Sequence, residues 1–237
     1  MCGRYSNRKT KQEIAERLRA EQVTHEPYVA NYNIAPSTFQ PVVRTEKDSG
    51  KRELVMLRWG LIPFFAKSPQ AFKGFSTINA RAEDIQSKAT WRTPFKKRRC
   101  LVPATGFYEW LTLDPKAKKP TKQPYNIEMQ DQGLFAFGGL WDAWHSEDKP
   151  GEWLQSFTII VTTPNDLMVP FHDRMPVILH ERDWAKWLDR DFGSDPAEAE
   201  ELKAMLRPYE SDAMTAYACN PAVGNVKNNG PKMLDHA

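Results

Sequence analysis

The run Arg99-Cys100-Leu101-Val102-Pro103-Ala104-Thr105-Gly106-Phe107-Tyr108-Glu109-Trp110-Leu111-Thr112 is apolar and aromatic on both sides of a small break. Residues 99–104 and 106–112 read as two strands, because branched and aromatic side chains fit a pleated, half-buried surface. Thr105-Gly106 between them is a turn signal. Working downstream, residues 116–122 form a basic, proline-bearing loop, read as a solvated hairpin tip. Residues 124–129 and 134–141 then read as a second hairpin pair around Asp131-Gln132-Gly133. Residues 156–162 are the most apolar strand of the chain, and residues 176–179 and 213–218 are two more. Upstream, 40–45 and 53–59 flank a charged loop at 46–51. In the second of these, Leu54, Met56 and Arg58 share one face, and Val55, Leu57 and Trp59 share the other. Helices are fewer. Thr10-Lys11-Gln12-Glu13 is a capping box opening a helix to about Arg19. Arg81 is read as starting a short helix to about Ser87. Residues 181–189 and 195–206 are two late helices, the second opened by Asp195-Pro196. Many short strands with few helices, not alternating with them, predict an α+β fold with a mostly antiparallel sheet in one domain over residues 1–237.

The chain has 237 residues, long enough for a sizeable core, with 33 Lys+Arg against 30 Asp+Glu. A net charge of +3 says little about partners. Cysteines at 2, 100 and 219 form neither a metal-ligand spacing nor a disulfide framework, so no metal or cofactor is expected. No long apolar run or signal peptide is present. A soluble, intracellular protein without membrane attachment is expected.

The N-terminal Met1-Cys2-Gly3-Arg4 carries unusual chemistry. A small second residue permits removal of the initiator methionine, which would leave Cys2 with a free α-amine and a thiol on adjacent carbons. Such a pair condenses with an aldehyde, the amine giving a Schiff base and the thiol closing a thiazolidine ring. An α-amine pKa of roughly 7.7–8.0 supplies neutral amine near neutral pH. Three further polar residues fit that chemistry. Glu109 stands among aromatics in Gly106-Phe107-Tyr108-Glu109-Trp110, where desolvation would raise its pKa and make it a proton acceptor near neutrality. His172, in Pro170-Phe171-His172-Asp173-Arg174, titrates in that range already. Asn79 lies in Thr77-Ile78-Asn79-Ala80-Arg81. Each also has a plainer reading: Glu109 as a solvent-facing strand residue, His172 as a loop hydrogen-bonder, Asn79 as a helix cap.

With these segments in view, the chain resembles the SOS-response-associated peptidase (SRAP) family of abasic-site processing proteins. The resemblance rests on seven motifs in order: Met1-Cys2-Gly3-Arg4-Tyr5, Tyr32-Asn33-Ile34-Ala35-Pro36, Trp59-Gly60-Leu61-Ile62-Pro63, Asn79-Ala80-Arg81, Gly106-Phe107-Tyr108-Glu109-Trp110, His172-Asp173-Arg174-Met175-Pro176 and Val223-Gly224-Asn225-Val226-Lys227-Asn228. It implies a curved, barrel-like sheet and a covalent thiazolidine crosslink between Cys2 and the ring-opened abasic site in single-stranded DNA. It implies self-removal of any leader, here only Met1. By the family's pattern Asn79 positions the sugar or the Cys2 backbone, Glu109 acts on the Cys2 amine, and His172 is acid/base at the opened sugar oxygen. Arg4, Arg81 and Arg174 match phosphate-gripping positions. Pro36, Trp59, Phe64 and Phe65 would form an apolar wedge against bases, though some relatives have tryptophan near the Phe64–Phe65 pair.

Two other functions are compatible with the residues. One is a thiol peptidase acting in trans, with Cys2 as nucleophile and His172 as base. The other is a non-covalent single-strand binding module using arginines and aromatics alone. The preferred reading carries with it a monomer, replication-fork proteins as further partners, and a cytoplasmic location at damage sites on the bacterial nucleoid.

Overall fold

A computed structural model of the chain describes residues 2–72, 77–146 and 151–237. Its elements in chain order begin with β1 (Tyr5–Asn7), α1 (Lys11–Leu18), β2 (Gln22–Val23), β3 (Asn31–Ile34), β4 (Phe39–Thr45), β5 (Arg52–Trp59), β6 (Asn79–Arg81) and α2 (Ala89–Lys97). They continue with β7 (Arg99–Ala104), β8 (Gly106–Leu113), β9 (Thr121–Met129), β10 (Phe135–His145), β11 (Trp153–Thr162), β12 (Met175–Pro176), α3 (Trp184–Leu188), α4 (Pro196–Ala204) and β13 (Met214–Ala218).

The predicted break at Thr105 does more than turn the chain. β7 belongs to the larger sheet, ordered β12-β11-β10-β7-β4-β5-β2, while β8 belongs to a second sheet, ordered β13-β9-β8-β1-β3. A parallel pairing of β11 with β5, Ser156 against Arg58 and Phe157 against Trp59, joins the two ends of the run β11-β10-β7-β4-β5. The result is a five-stranded closed barrel with extra strands attached, and closure leaves those five strands without free edges. The α+β class and the barrel-like sheet expected from the sequence are both present.

The strands of the barrel are apolar on both faces because both are covered. One face meets the helices, where Leu54, Leu101, Ala136 and Ile160 pack with Ile14, Leu18, Trp91, Phe95, Trp187 and Leu202. The other meets the second sheet, where Leu57, Trp59, Val102, Phe137 and Phe157 pack with Cys2, Tyr5, Ile34, Phe107 and Ile127. The faces assigned to β5 by alternation are the faces it uses, Leu54 towards the helices and Val55, Leu57 and Trp59 towards the second sheet.

Both capped helix starts form as read. The Thr10 side chain accepts from the Glu13 N–H in a full capping box, and Asp195 accepts from the Glu198 N–H with Pro196 in the first turn. Four readings need correction. Residues 124–129 and 134–141 are not a hairpin pair: β9 pairs with β8 and β13, β10 with β7 and β11, so Asp131-Gln132-Gly133 carries the chain between sheets. Arg81 does not begin an α-helix, since 79–81 is strand β6 along β11 and only one 3-10 turn, Ala82–Asp84, follows. The helix α2 was not anticipated, because Pro94 inside it costs a backbone hydrogen bond; burial of Trp91 and Phe95 offsets that cost. The polar stretches at β1 and β3 form strands by pairing with each other, a partnership that local pattern does not reveal. The aromatic loop read from Gly60 to Gly74 and its junction at Ser76 fall partly outside the described residues, at 73–76. No helix among the described residues is long and apolar enough to cross a membrane.

Candidate active site

The antiparallel register of β1 on β8 builds the site. Tyr5 lies opposite Phe107, the Arg4 carbonyl accepts from the Tyr108 N–H, and continuing that register lays Cys2 and Gly3 alongside Glu109 and Trp110. Cys2 is fully buried in the apolar cluster between barrel and second sheet. Burial, and then the nearby Glu109 carboxylate, push its thiol pKa well up. Glu109 itself is buried, 6% exposed, so its solvent-facing reading does not hold. Desolvation raises its pKa to about 7, into the range where a carboxylate exchanges protons at physiological pH.

Tyr125 sits directly across from Glu109 in the strand pair, and its ring packs on Phe171 at 4.9 Å. That contact brings the His172 turn to the Glu109 side of the second sheet. The His172 Nδ1 stands 2.6 Å from an Asp173 oxygen and 3.1 Å from the Arg174 N–H. A neutral imidazole accepts there from Arg174, and a protonated one donates to Asp173, so the ring is held in either charge state. Burial lowers its pKa, and Asp173 opposes that. Asn79 reaches the same cluster from the barrel: it pairs with Ile159, and the carbonyl of neighbouring Ile78 accepts the Trp59 indole N–H at 2.9 Å. It caps no helix; its Nδ2 makes a 3.5 Å contact to the Ile159 carbonyl, and its buried Oδ1 has no hydrogen-bond partner among the described residues. A buried acceptor left unmet costs about 1–3 kcal/mol, which marks Asn79 as a residue with a polar demand still to be filled.

The arginines sit differently. Arg4 donates to Asn33 Oδ1 at 2.7 Å and to the Val223 carbonyl at 2.8 Å, and lies over the Trp110 ring. Asn33 in turn donates to the carbonyls of Val223, Asn225 and Asn228. Three of the seven motifs are thus one knot beneath the N-terminus. Asn33, given no role by the sequence beyond its place in the Tyr32–Pro36 motif, is its hub. Arg174 pairs with Glu83 at 2.5 Å, and exposed Arg81 lies two residues before Glu83 in the same turn. The register places both arginines at one end of β11, where Val161 is flanked by Arg81 and Pro176.

Of the apolar wedge, Phe64 and Phe65 stand half-exposed edge to face at 5.4 Å, with Arg98 over the Phe64 ring. Pro36 is half-buried. Trp59 must be removed from that set. It is completely buried, stacked on Phe157 and edge-on to Tyr5, so it has no face to offer a base. Alternation puts Trp59 on the face of β5 that the second sheet covers, whereas Phe39 of β4 is exposed.

A family model described as SOS response associated peptidase (SRAP) matches residues 1–226 of the chain. The abasic site processing protein YoqW of Bacillus subtilis (strain 168) is 40% identical over 236 residues, covering 99% of both chains. The abasic site processing protein HMCES of Mus musculus is 32% identical over 240 residues, covering 87% of this chain and 65% of that one. The crystal structure of a Bacteroides thetaiotaomicron protein superposes with a TM-score of 0.86 at 28% identity over all of both chains.

Proposed function

The chain belongs to the SOS response associated peptidase (SRAP) family, and on that footing we propose that it captures abasic sites in single-stranded DNA covalently through Cys2. Similarity to relatives named abasic site processing proteins supports the substrate. The observation that carries the chemistry is the juxtaposition of Cys2 with a buried Glu109 whose pKa stands at about 7.

Once Met1 is removed, by a methionine aminopeptidase or by the chain itself, the Cys2 α-amine is free. Glu109 accepts a proton from its ammonium form, and the neutral amine adds to the C1 aldehyde of the ring-opened sugar. The resulting carbinolamine loses its hydroxyl as water, with a proton supplied by a general acid, to give the Schiff base. The Cys2 sulfur then adds to the C=N carbon, its proton passing to the ring nitrogen directly or through Glu109, and the thiazolidine closes. His172 serves the opened sugar oxygen, Asn79 Oδ1 receives a donor from the sugar or the Cys2 backbone, and Arg4, Arg81 and Arg174 lie along the phosphates.

The trans-acting thiol peptidase is the weaker reading. A nucleophilic thiolate needs a lowered pKa, whereas burial and Glu109 raise that of Cys2. The non-covalent binder leaves the buried Cys2–Glu109 pair without a use. Intact mass spectrometry after incubation with a single-stranded oligonucleotide bearing one abasic site decides between them. A mass increased by the oligonucleotide less water, on protein lacking Met1, supports capture. Unshifted protein lacking Met1 sinks it.

A further inference from the structure

The β8–β9 hairpin carries Glu109 at its base and runs outward through Leu113 to Thr121. Its outer end, the loop 114–120 and the first two residues of β9, reads Asp-Pro-Lys-Ala-Lys-Lys-Pro-Thr-Lys: four lysines against one aspartate, a net +3, equal to the formal +3 of the whole chain. The remaining residues therefore balance to zero. Lys116, Lys118, Lys119 and Lys122 are all exposed, and no carboxylate among the described residues forms an ion pair with them. Residues 92–99 are also basic, with Arg92, Lys96, Lys97, Arg98 and Arg99 and no acid, so what sets this lysine cluster apart is its place on a hairpin rooted at the active site.

We propose that this hairpin is a second nucleic-acid contact, its lysines binding the phosphates of the DNA strand as it leaves the abasic site. The inference rests on the proposed function for its ligand but uses none of the residues assigned there. Three facts of placement support it. Lys122 pairs across from Thr112, three residues beyond Glu109 and on the other face of the hairpin, about 10 Å away at the rise of a strand. Its charge is felt at the Glu109 carboxylate, which it favours in the ionised form. On the Glu109 face of the hairpin, Leu111 and Gln123 are half-exposed and Leu113 is exposed, a shallow track leading from the site to the tip. Lysine suits the role, since an exposed ammonium on a flexible stem binds backbone phosphate as a point charge and reads no base.

The test compares wild type with the Lys116→Ala/Lys118→Ala/Lys119→Ala/Lys122→Ala variant on two oligonucleotides. One is a 5-mer with a central abasic site, too short to reach the tip; the other is a 25-mer with the same centre. On the 25-mer the variant should need at least tenfold more protein for half-maximal crosslinking at low salt. Its slope of log affinity against log salt should fall by up to about 3, at ~0.7 per single-strand phosphate contact. On the 5-mer a Lys116→Ala/Lys118→Ala/Lys119→Ala variant, which keeps Lys122 and its effect on Glu109, should match wild type, and the four Lys→Arg replacements should restore the 25-mer behaviour. Equal affinity and salt slope on the 25-mer would overturn the proposal. Should wild type crosslink neither oligonucleotide, the capture reading fails; anisotropy of an unmodified, labelled 25-mer then still reads the salt slope and decides the hairpin's role.

Discussion

The two faces of the closed barrel are finished in opposite ways. On the helical face, buried Arg99 donates to the carbonyls of Phe95, Lys96, Trp187, Asp189 and Phe192. One guanidinium thereby satisfies the ends of α2 and α3, where helix carbonyls have no partner of their own. Desolvation lowers its pKa only to about 10, so it remains charged at neutral pH. On the face towards the second sheet, Asn79 Oδ1 and Tyr5 Oη are buried without hydrogen-bond partners among the described residues. Glu109 and Cys2 there both have strongly displaced pKa values. The helical face ties its helix ends through one guanidinium and leaves only Thr158 Oγ1 of β11 without a partner among the described residues. The other leaves demand unmet at the place where a substrate would meet it, a local inconsistency that stable proteins keep for sites of function.

That contrast can be broken by substitution, and the largest effect belongs to Cys2→Ala. It should abolish the denaturation-resistant complex with abasic single-stranded DNA, scored on a denaturing gel; a surviving complex would move the reactive group elsewhere. Glu109→Gln should slow crosslinking about 10²–10⁴-fold, the usual weight of general acid–base help. The wild-type rate should rise as pH passes through about 7, where Glu109 ionises, and the variant should lack that step. Stability carries the same signature. A carboxyl whose folded pKa lies above its ordinary value of 4.5 holds its proton more tightly when folded, so stability falls as pH climbs from about 4.5 to about 7. The denaturant midpoint of Glu109→Gln should be flat across that window.

On the helical face the expected loss is of stability instead. Arg99→Met should lower the unfolding free energy by about 3–4 kcal/mol, because buried carbonyls lose a charged donor; a urea midpoint within error of wild type would refute the web. Protein that remains folded should still crosslink. Smallest of all is Cys219→Ala, in the satellite cluster with Tyr108, Val223 and Met233, which should cost about 1 kcal/mol and leave crosslinking untouched. Loss of crosslinking there would show that thiols outside the N-terminus take part.

Local chemistry made several of these features legible in advance. A capping box needs only Thr10 and Glu13 three residues apart, and Asp195-Pro196 needs only adjacency, so both helix starts could be read directly. Glu109 could be picked out because its neighbours along the strand are aromatic, and Cys2 because its position alone gives it an amine beside its thiol. Other features depend on pairings with no local signal, between segments from about twenty to about a hundred residues apart. Thr105 and the Asp131-Gln132-Gly133 turn each switch the chain between sheets, which follows from β8 finding β1 and β10 finding β11 rather than from the turn residues. Arg4 is tied to Asn33 and Val223 by the same kind of long-range closure. Alternation marked Trp59 as facing one side of a strand, but only a covered barrel face made that side core. Pro94 argued against the helix that packing of Trp91 and Phe95 imposes. The sequence by itself determined the elements with local signals and the reactive groups worth watching. Tertiary structure alone decided which sheet each strand joined, and therefore that Cys2 and Glu109 meet, because pairing energy between distant segments leaves no trace in the period of either one.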